Sequence, residues 1–402
     1  MSVPDRSFIL VFAFAAAFTT GCGPGRAHVE PAVSKADRID LALASGGRYL
    51  SAQQAADGSW RSDHYGALKD GASLSPLVLQ ALRSLPTSPE RDEAYRRGLA
   101  YLASFVKPDG TIDPGPYGFN QPVHTSAGAV LLFSAENTAA GRKARNAWLA
   151  YLRERQLTEA MGWQPADKEY GGWGYCPTLP RKPPAGQLTP PLTESNLSAT
   201  LAALSALRAA GISSEDPVIQ KAKIFVERCQ NFGEEQPFDD GGFFFIYDDG
   251  VRNKAGIAGR GRQDRERYVS YGSATADGLR ALLFCGLPAT DARVAAAQHW
   301  LETHFSATIH PGQYRSEREP NRAALYYYYA CSVARVLHTL KLEEVSAFDK
   351  KIAWQDALAE ELLKRQRDDG SWINPAVLVR EDDPLIATSF ALQTLANCKT
   401  GS

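Results

Sequence analysis

Gln54…Gly58-Ser59-Trp60, near the N-terminus, and Gln366…Gly370-Ser371-Trp372, near the C-terminus, are the same short phrase written 312 residues apart. In both, an apolar helical segment ends in a glutamine, an acidic residue follows, and a glycine precedes a tryptophan by two positions. Between them the Gly-x-apolar element recurs as Gly110-Thr111-Ile112, Gly171-Gly172-Trp173, Gly241-Gly242-Phe243 and Gly312-Gln313-Tyr314. The six glycines lie 52, 61, 70, 71 and 58 residues apart, and the third residue is aromatic in five of the six. Repetition at this period is the mark of an architecture built from copies of one supersecondary unit.

Each glycine element stands between two helical patterns. The segments before it, roughly 41–54, 91–106, 143–156, 216–230, 291–304 and 353–366, carry charges on one face and Leu, Ala and aromatics on the other. Those after it, roughly 72–85, 124–135, 195–210, 273–285, 323–340 and 385–396, are Ala-rich and apolar nearly all round, as buried helices are. Strand alternation is not evident. Six hairpins of an amphipathic outer helix and a buried inner helix can stack and close, which hides the end faces an open array would expose. The expected fold is all-α, an (α/α)6 toroid over residues 39–400 with its inner helices around a central cavity. Glycine suits a turn where a side chain would clash, the aromatic can wedge between neighbouring repeats, and the glutamine can bond to the adjacent helix end.

Composition bounds the function only loosely. The 402 residues hold 44 Lys plus Arg against 45 Asp plus Glu, a net charge of −1 that provides no global field for nucleic acid or an anionic membrane. Phe8–Phe18 is an apolar run after Arg6, too short to span a bilayer but right for an export signal. It ends in Thr19-Thr20-Gly21-Cys22, which resembles a bacterial lipoprotein processing site. Residues 1–22 therefore read as a signal peptide with lipidation at Cys22, and residues 23–38 as a tether. The expectation is an exported protein, membrane-anchored through lipid alone on the periplasmic or cell-surface side, with plain secretion as the alternative. The remaining cysteines show no CxxC and no spacing of a disulfide framework.

The repeat resembles the QW-type repeat of the squalene-hopene cyclase and protein prenyltransferase superfamily, carried by the two full copies and by the degenerate Gln156…Gly171-Gly172-Trp173 and Gln230…Gly241-Gly242-Phe243. The resemblance implies a cavity for an isoprenoid chain, where aromatic faces stabilise carbocations. Class II cyclases of that superfamily protonate substrate from an Asp-x-Asp-Asp motif. The nearest stretch here is Arg380-Glu381-Asp382-Asp383, at the start of the last inner helix but with Arg380 in place of the first acid. Asp382 and Asp383 are thus candidate proton donors, with helix capping as the competing reading. The prenyltransferase zinc motif would fall at Tyr329-Ala330-Cys331, where its Asp is missing, so neither metal nor cofactor is expected.

Residues near the inner-helix starts would face the cavity mouth: Asp70, His124, Glu194, Asn196, Tyr271, Asp277 and the run Tyr326–Tyr329. His124 is an acid–base candidate. Trp173, Asn196, Tyr271, Tyr326 and Tyr329 are candidate ligand contacts. Two insertions interrupt the period, the Pro-rich 177–194 and the Arg-rich, Gly-rich 248–268, the latter either an anion-binding or a solvated charged loop. The leading expectation is a protein that binds a hydrophobic small molecule or lipid, isoprenoid in kind, and acts as a cyclase or isomerase if it is an enzyme. The alternatives are a repeat scaffold for a protein or envelope component, and a carbohydrate-active (α/α)6 enzyme. Nucleotide and nucleic-acid motifs are absent.

Overall fold

The computed structural model describes residues 34–187, 190–233 and 236–399. Cys22 and the apolar run before it lie outside the described residues. Six outer helices, α1 (Lys35–Ala52), α3 (Pro89–Ala103), α5 (Ala139–Arg153), α7 (Pro217–Arg228), α9 (Ala292–His304) and α12 (Trp354–Arg365), alternate with inner helices α2 (Ser75–Arg83), α4 (Pro122–Phe133), α6 (Leu197–Ala209), α8 (Gly272–Phe284), α11 (Tyr326–Thr339) and α13 (Pro384–Cys398). α1 starts at Lys35, inside the stretch read as tether. The inner helices pack in sequence, α2 on α4, α4 on α6, α6 on α8, α8 on α11, α11 on α13, and α13 returns to α2. That return closes the ring.

Two departures from the expected pattern are local. The inner segment expected over 323–340 is broken at Leu325, so a short α10 (Glu319–Ala324) precedes α11. Two small hairpins also appear. β1 (Ile257–Arg260) pairs with β2 (Glu266–Tyr268) in the second insertion, and β3 (Glu344–Ala347) with β4 (Lys350–Ala353) between α11 and α12. Strands of three or four residues are too short for alternation to stand out in sequence.

The repeated phrase is the fastener between hairpins. Gln54 Nε2 donates to Gly58 O at 2.9 Å and to Ala94 O of the next outer helix at 2.8 Å. Gln156 joins Gly171 O and Val218 O, both at 2.8 Å, and Gln230 joins Gly241 O and Arg293 O at 3.0 and 2.9 Å. Gln366 joins Gly370 O at 2.9 Å and Ala42 O at 3.1 Å, linking the last repeat to the first. The second and fifth repeats lack the glutamine and are tied from the other side. There Lys143 donates to Pro108 O at 2.7 Å and Arg365 to Thr308 O at 2.9 Å.

The tryptophans complete the joint. Trp60, Trp173 and Trp372 are fully buried and donate their indole N–H to Leu50 O, Leu152 O and Leu362 O at 2.7, 3.0 and 2.8 Å. These are carbonyls at the C-terminal ends of outer helices, which have no partner within the helix. Their own backbone N–H groups are held by Ser75, Thr200 and Thr388 of the inner helices. Glycine is required where this joint is tightest. Gly171 has φ +88°, and a Cβ there would lie 1.9 Å from Lys221 O.

Candidate functional site

Every inner helix is entered through a long loop bearing the glycine element and most are left by a short turn, so the six inner N-termini share one end of the ring. Along the inner helices, partly accessible positions recur at helical spacing: Leu77 and Gln80 on α2, His124 and Leu131 on α4, Ser198, Ala202 and Ser205 on α6, Arg280 and Phe284 on α8, Tyr328 and Arg335 on α11, and Phe390 on α13. His124, Tyr328, Arg280 and the loop residue Tyr175 keep accessible surface although protein encloses them on every side. Side chains in that condition face an internal lumen.

At the centre of this lining is Asp277, on α8 and 3% exposed. Tyr328 of α11 donates its hydroxyl to Asp277 Oδ2 at 2.5 Å, and Ser332, one turn further along α11, donates to Oδ1. The Tyr328 hydroxyl also meets Ser198 of α6 at 3.1 Å, reaching past α8, and Tyr175 lies against the same serine. Burial raises the Asp277 carboxyl above its ordinary range against the opposing pull of these hydroxyls and of Arg280 and Arg335. It also holds Tyr328 well above 10 and moves Tyr175 to about 12, so both phenols stay neutral. Aromatic rings adjoin the hydroxyls at the acid: Tyr328 is edge-on to Phe390 at 5.4 Å, and Tyr175 packs against Phe245 at 6.4 Å and His124 at 5.4 Å. Enclosure lowers His124 to about 4, leaving a neutral imidazole.

The acids of 381–383 are engaged at helix starts. Glu381 accepts from Tyr327 N and Tyr328 N at 2.9 and 2.7 Å, at the first turn of α11. Asp383 caps α13, accepting from Leu385 N at 2.9 Å, and Asp382 accepts from the Tyr65 hydroxyl. Asn196 caps α6 through Ala199 N at 2.9 Å. Tyr271 begins α8 and packs on His310 and Tyr314. Tyr326 and Tyr329 are buried with their hydroxyls on Ala307 O and Ser306 O, so the tyrosine turned to the lumen is Tyr328. Trp173 sits in the wall between hairpins. Of the residues singled out from sequence, the structure brings His124 and Asp277 to the lumen lining.

Among the described residues no group of three or more His, Cys, Asp and Glu is arranged to hold a metal. In the second insertion Arg252 pairs with Asp249 and Glu194, Arg260 with Asp264 and Glu266, and Arg267 with Asp239. Those bases answer acids of the protein itself.

No family model and no curated relative matches the sequence. Solved structures do. The type II terpene cyclase MstE from Scytonema, as a D109N variant in complex with geranylgeranyl dihydroxybenzoate, superposes with TM-score 0.56 at 12% identity, over 90% of this chain and 98% of that one. A protein from Actinoplanes gives 0.53 at 17% identity, over 90% and 100%. Cellobiose 2-epimerase from Spirochaeta thermophila gives 0.54 at 12% identity, over 90% and 97%. The fold is a terpenoid-cyclase-like (α/α)6 toroid. Within this toroid, His310 is a residue that sequence reading passed over. Fully buried, it accepts from Ser273 N at 2.8 Å through Nε2, capping α8, and its Nδ1 meets the Tyr314 hydroxyl at 2.8 Å. Burial brings it down to about 3.

Proposed function

We propose that the toroid takes a hydrophobic, isoprenoid-type ligand along its lumen and rearranges it by acid–base chemistry, as an isomerase or cyclase. The observation that carries this reading is the desolvated Asp277 carboxyl, held by the Tyr328 and Ser332 hydroxyls with the Tyr175 ring nearby. A raised carboxyl keeps its proton to higher pH than an exposed one. Once the proton moves to a ligand double bond, the carboxylate left behind keeps both hydroxyl donors, and hydrogen bonds to an ion are about twice as strong as neutral ones. The carbocation formed would lie against the rings of Tyr175, Tyr328 and Phe390. The neutral imidazole of His124 can take the proton lost from a neighbouring carbon, which ends the rearrangement without any other reactant. Environments that separate two titratable groups in this way assign acid and base.

The fold does not choose between hydrocarbon and sugar, since the same scaffold carries a cellobiose epimerase. Leu77, Leu131, Tyr175, Phe284, Tyr328 and Phe390 in the lining favour the hydrocarbon. Export and lipid anchoring through Cys22 belong to the proposal as well, checked by incorporation of labelled palmitate that a Cys22→Ala variant loses. The decisive experiment is native mass spectrometry and solvent extraction of the purified protein, followed by incubation with farnesol and geranylgeraniol in deuterated water. Deuterium in a rearranged product, reduced about 10²–10⁴-fold in Asp277→Asn, is the expected result. An extracted oligosaccharide, or full turnover in the Asn variant, would overturn it.

A further inference from the structure

Beyond the acid, the lumen holds two positive charges against the one carboxyl of Asp277. Arg280 and Arg335 stand on adjacent inner helices, α8 and α11, towards their C-terminal ends. Both keep accessible surface inside the ring. Arg280 extends over the Phe284 ring with its guanidinium carbon 5.9 Å from the centroid, and among the described residues it makes neither a hydrogen bond nor an ion pair. Arg335 donates through Nη2 to the neutral side-chain oxygen of Gln393 on α13. The nearby acid, Asp277, accepts from Tyr328 and Ser332 and is raised by burial, so it offsets at most one of the two charges.

Other arginines near this end of the ring are spent differently. Arg83 donates to Leu131 O in the last turn of α4 and Arg208 to Ile212 O in the turn that follows α6, the usual cover for carbonyls where a helix finishes. Arg280 has no such bond, so helix-end chemistry does not explain it. Two guanidiniums close enough to repel, enclosed by protein and with only the Asp277 carboxyl beside them, are an unfavourable arrangement for the empty protein. A ligand that brings the anion removes the penalty.

We infer that Arg280 and Arg335 form an anion subsite deep in the lumen, which takes the carboxylate or phosphate head of an amphiphile whose apolar chain lies along the aromatic rings above. Guanidiniums are suited to both heads, because their planar donor forks match two oxygens at once. The subsite defines the substrate class within the function proposed above and rests on that reading for the chain, though not for the head. It also answers an electrostatic difficulty. A carbocation near two unpaired arginines would be destabilised, and an anionic head held between them cancels that field.

The test is binding by calorimetry to the full-length protein, with farnesoate, farnesyl monophosphate, farnesol and inorganic diphosphate as probes. Farnesoate and farnesyl monophosphate should each bind about ten- to a hundredfold tighter than farnesol, the range expected for charge-assisted hydrogen bonds. Whichever of the two gains more identifies the head. Arg280→Gln should erase that advantage, leave farnesol affinity unchanged, and keep the circular dichroism spectrum of the wild type. If farnesol fails to bind while diphosphate binds the wild type and not Arg280→Gln, the subsite stands and the hydrophobic reading falls. Equal affinity of all three farnesyl probes, or diphosphate binding that Arg280→Gln does not weaken, would overturn the inference.

Discussion

Replacing Gln156 with alanine removes one of the four glutamine fasteners and measures how much of the ring depends on them. The side chain is 5% exposed and donates to two carbonyls, Gly171 O in its own repeat and Val218 O in the next, both at 2.8 Å. Val218 O keeps its bond within α7, so the loss there is about 1 kcal/mol net, whereas Gly171 O is left without a donor at a cost of about 1–3 kcal/mol. About 2–4 kcal/mol is expected in all. Gln366 makes the same pair of bonds at the seam that closes the ring, but it is partly accessible, and water can take over both carbonyls. Its alanine variant should lose about 1–2 kcal/mol. Unfolding entropy near 2.1 cal/mol/K per residue over roughly 365 ordered residues gives about 0.8 kcal/mol/K. Gln156→Ala should therefore lower Tm by about 3–5 °C and Gln366→Ala by about 1–3 °C. The exposed neighbour Gln53 supplies the control, with Gln53→Ala within about 0.5 kcal/mol of wild type. Scanning calorimetry decides. Equal shifts for all three variants would refute the view that these glutamines fasten the hairpins.

The same joints make a paired prediction at glycine. Gly171→Ala meets Lys221 O and should cost about 3 kcal/mol or more in urea unfolding. Gly110→Ala, with a similar φ of +86° and nothing within 4 Å, should cost only the backbone strain of about 1–2 kcal/mol. His310 makes a pH prediction. Its folded pKa of about 3 lies below the ordinary 6.5, so the unfolded chain binds the proton more readily. Stability from this group is complete above pH 6.5 and falls as the pH drops towards 3, by about 4–5 kcal/mol. A His310→Gln variant should flatten that part of the stability curve relative to wild type, and a parallel curve would count against it. Tyr328→Phe removes one of the two hydroxyls that favour the Asp277 carboxylate. With Asp277 as the proton donor, it should move the alkaline limb of the proposed activity to higher pH, read from the kcat/KM–pH profile.

The ring was legible because its fasteners are written in sequence. Gln54, Gly58 and Trp60 are close together along the chain, and their partners are backbone atoms that any sequence supplies, so one local phrase is enough to recognise the joint. The two short hairpins were not, since three or four residues cannot establish a period. His310 was missed for a different reason. It caps a helix that begins 38 residues before it in the chain, and neither end of that bond shows a local pattern.

The acids show why a motif and the proposed site can separate. Arg380-Glu381-Asp382-Asp383 occupies the place a family motif would, yet helix N-termini attract carboxylates whether or not chemistry follows, and two of these three acids serve two different helices. Asp277 carries no motif. Its signal is that it lies inside Gly272–Phe284, a helix whose residues through Leu282 are all buried except Arg280. A helix enclosed on every side has no solvent face on which to place an acid, so Asp277 and Arg280, three residues apart, must share a stripe towards something internal. On α11 the polar positions Tyr328, Ser332 and Arg335 follow at intervals of four and three, the same stripe one helix further round the ring. Tyr326 and Tyr329, two before and one after, fall outside it by helical phase, and their hydroxyls are found in the wall. Helical phase applied to polar residues in apolar helices thus selects Tyr328 from the four tyrosines and pairs it with Asp277. The same rule places both lumen arginines without reference to any family.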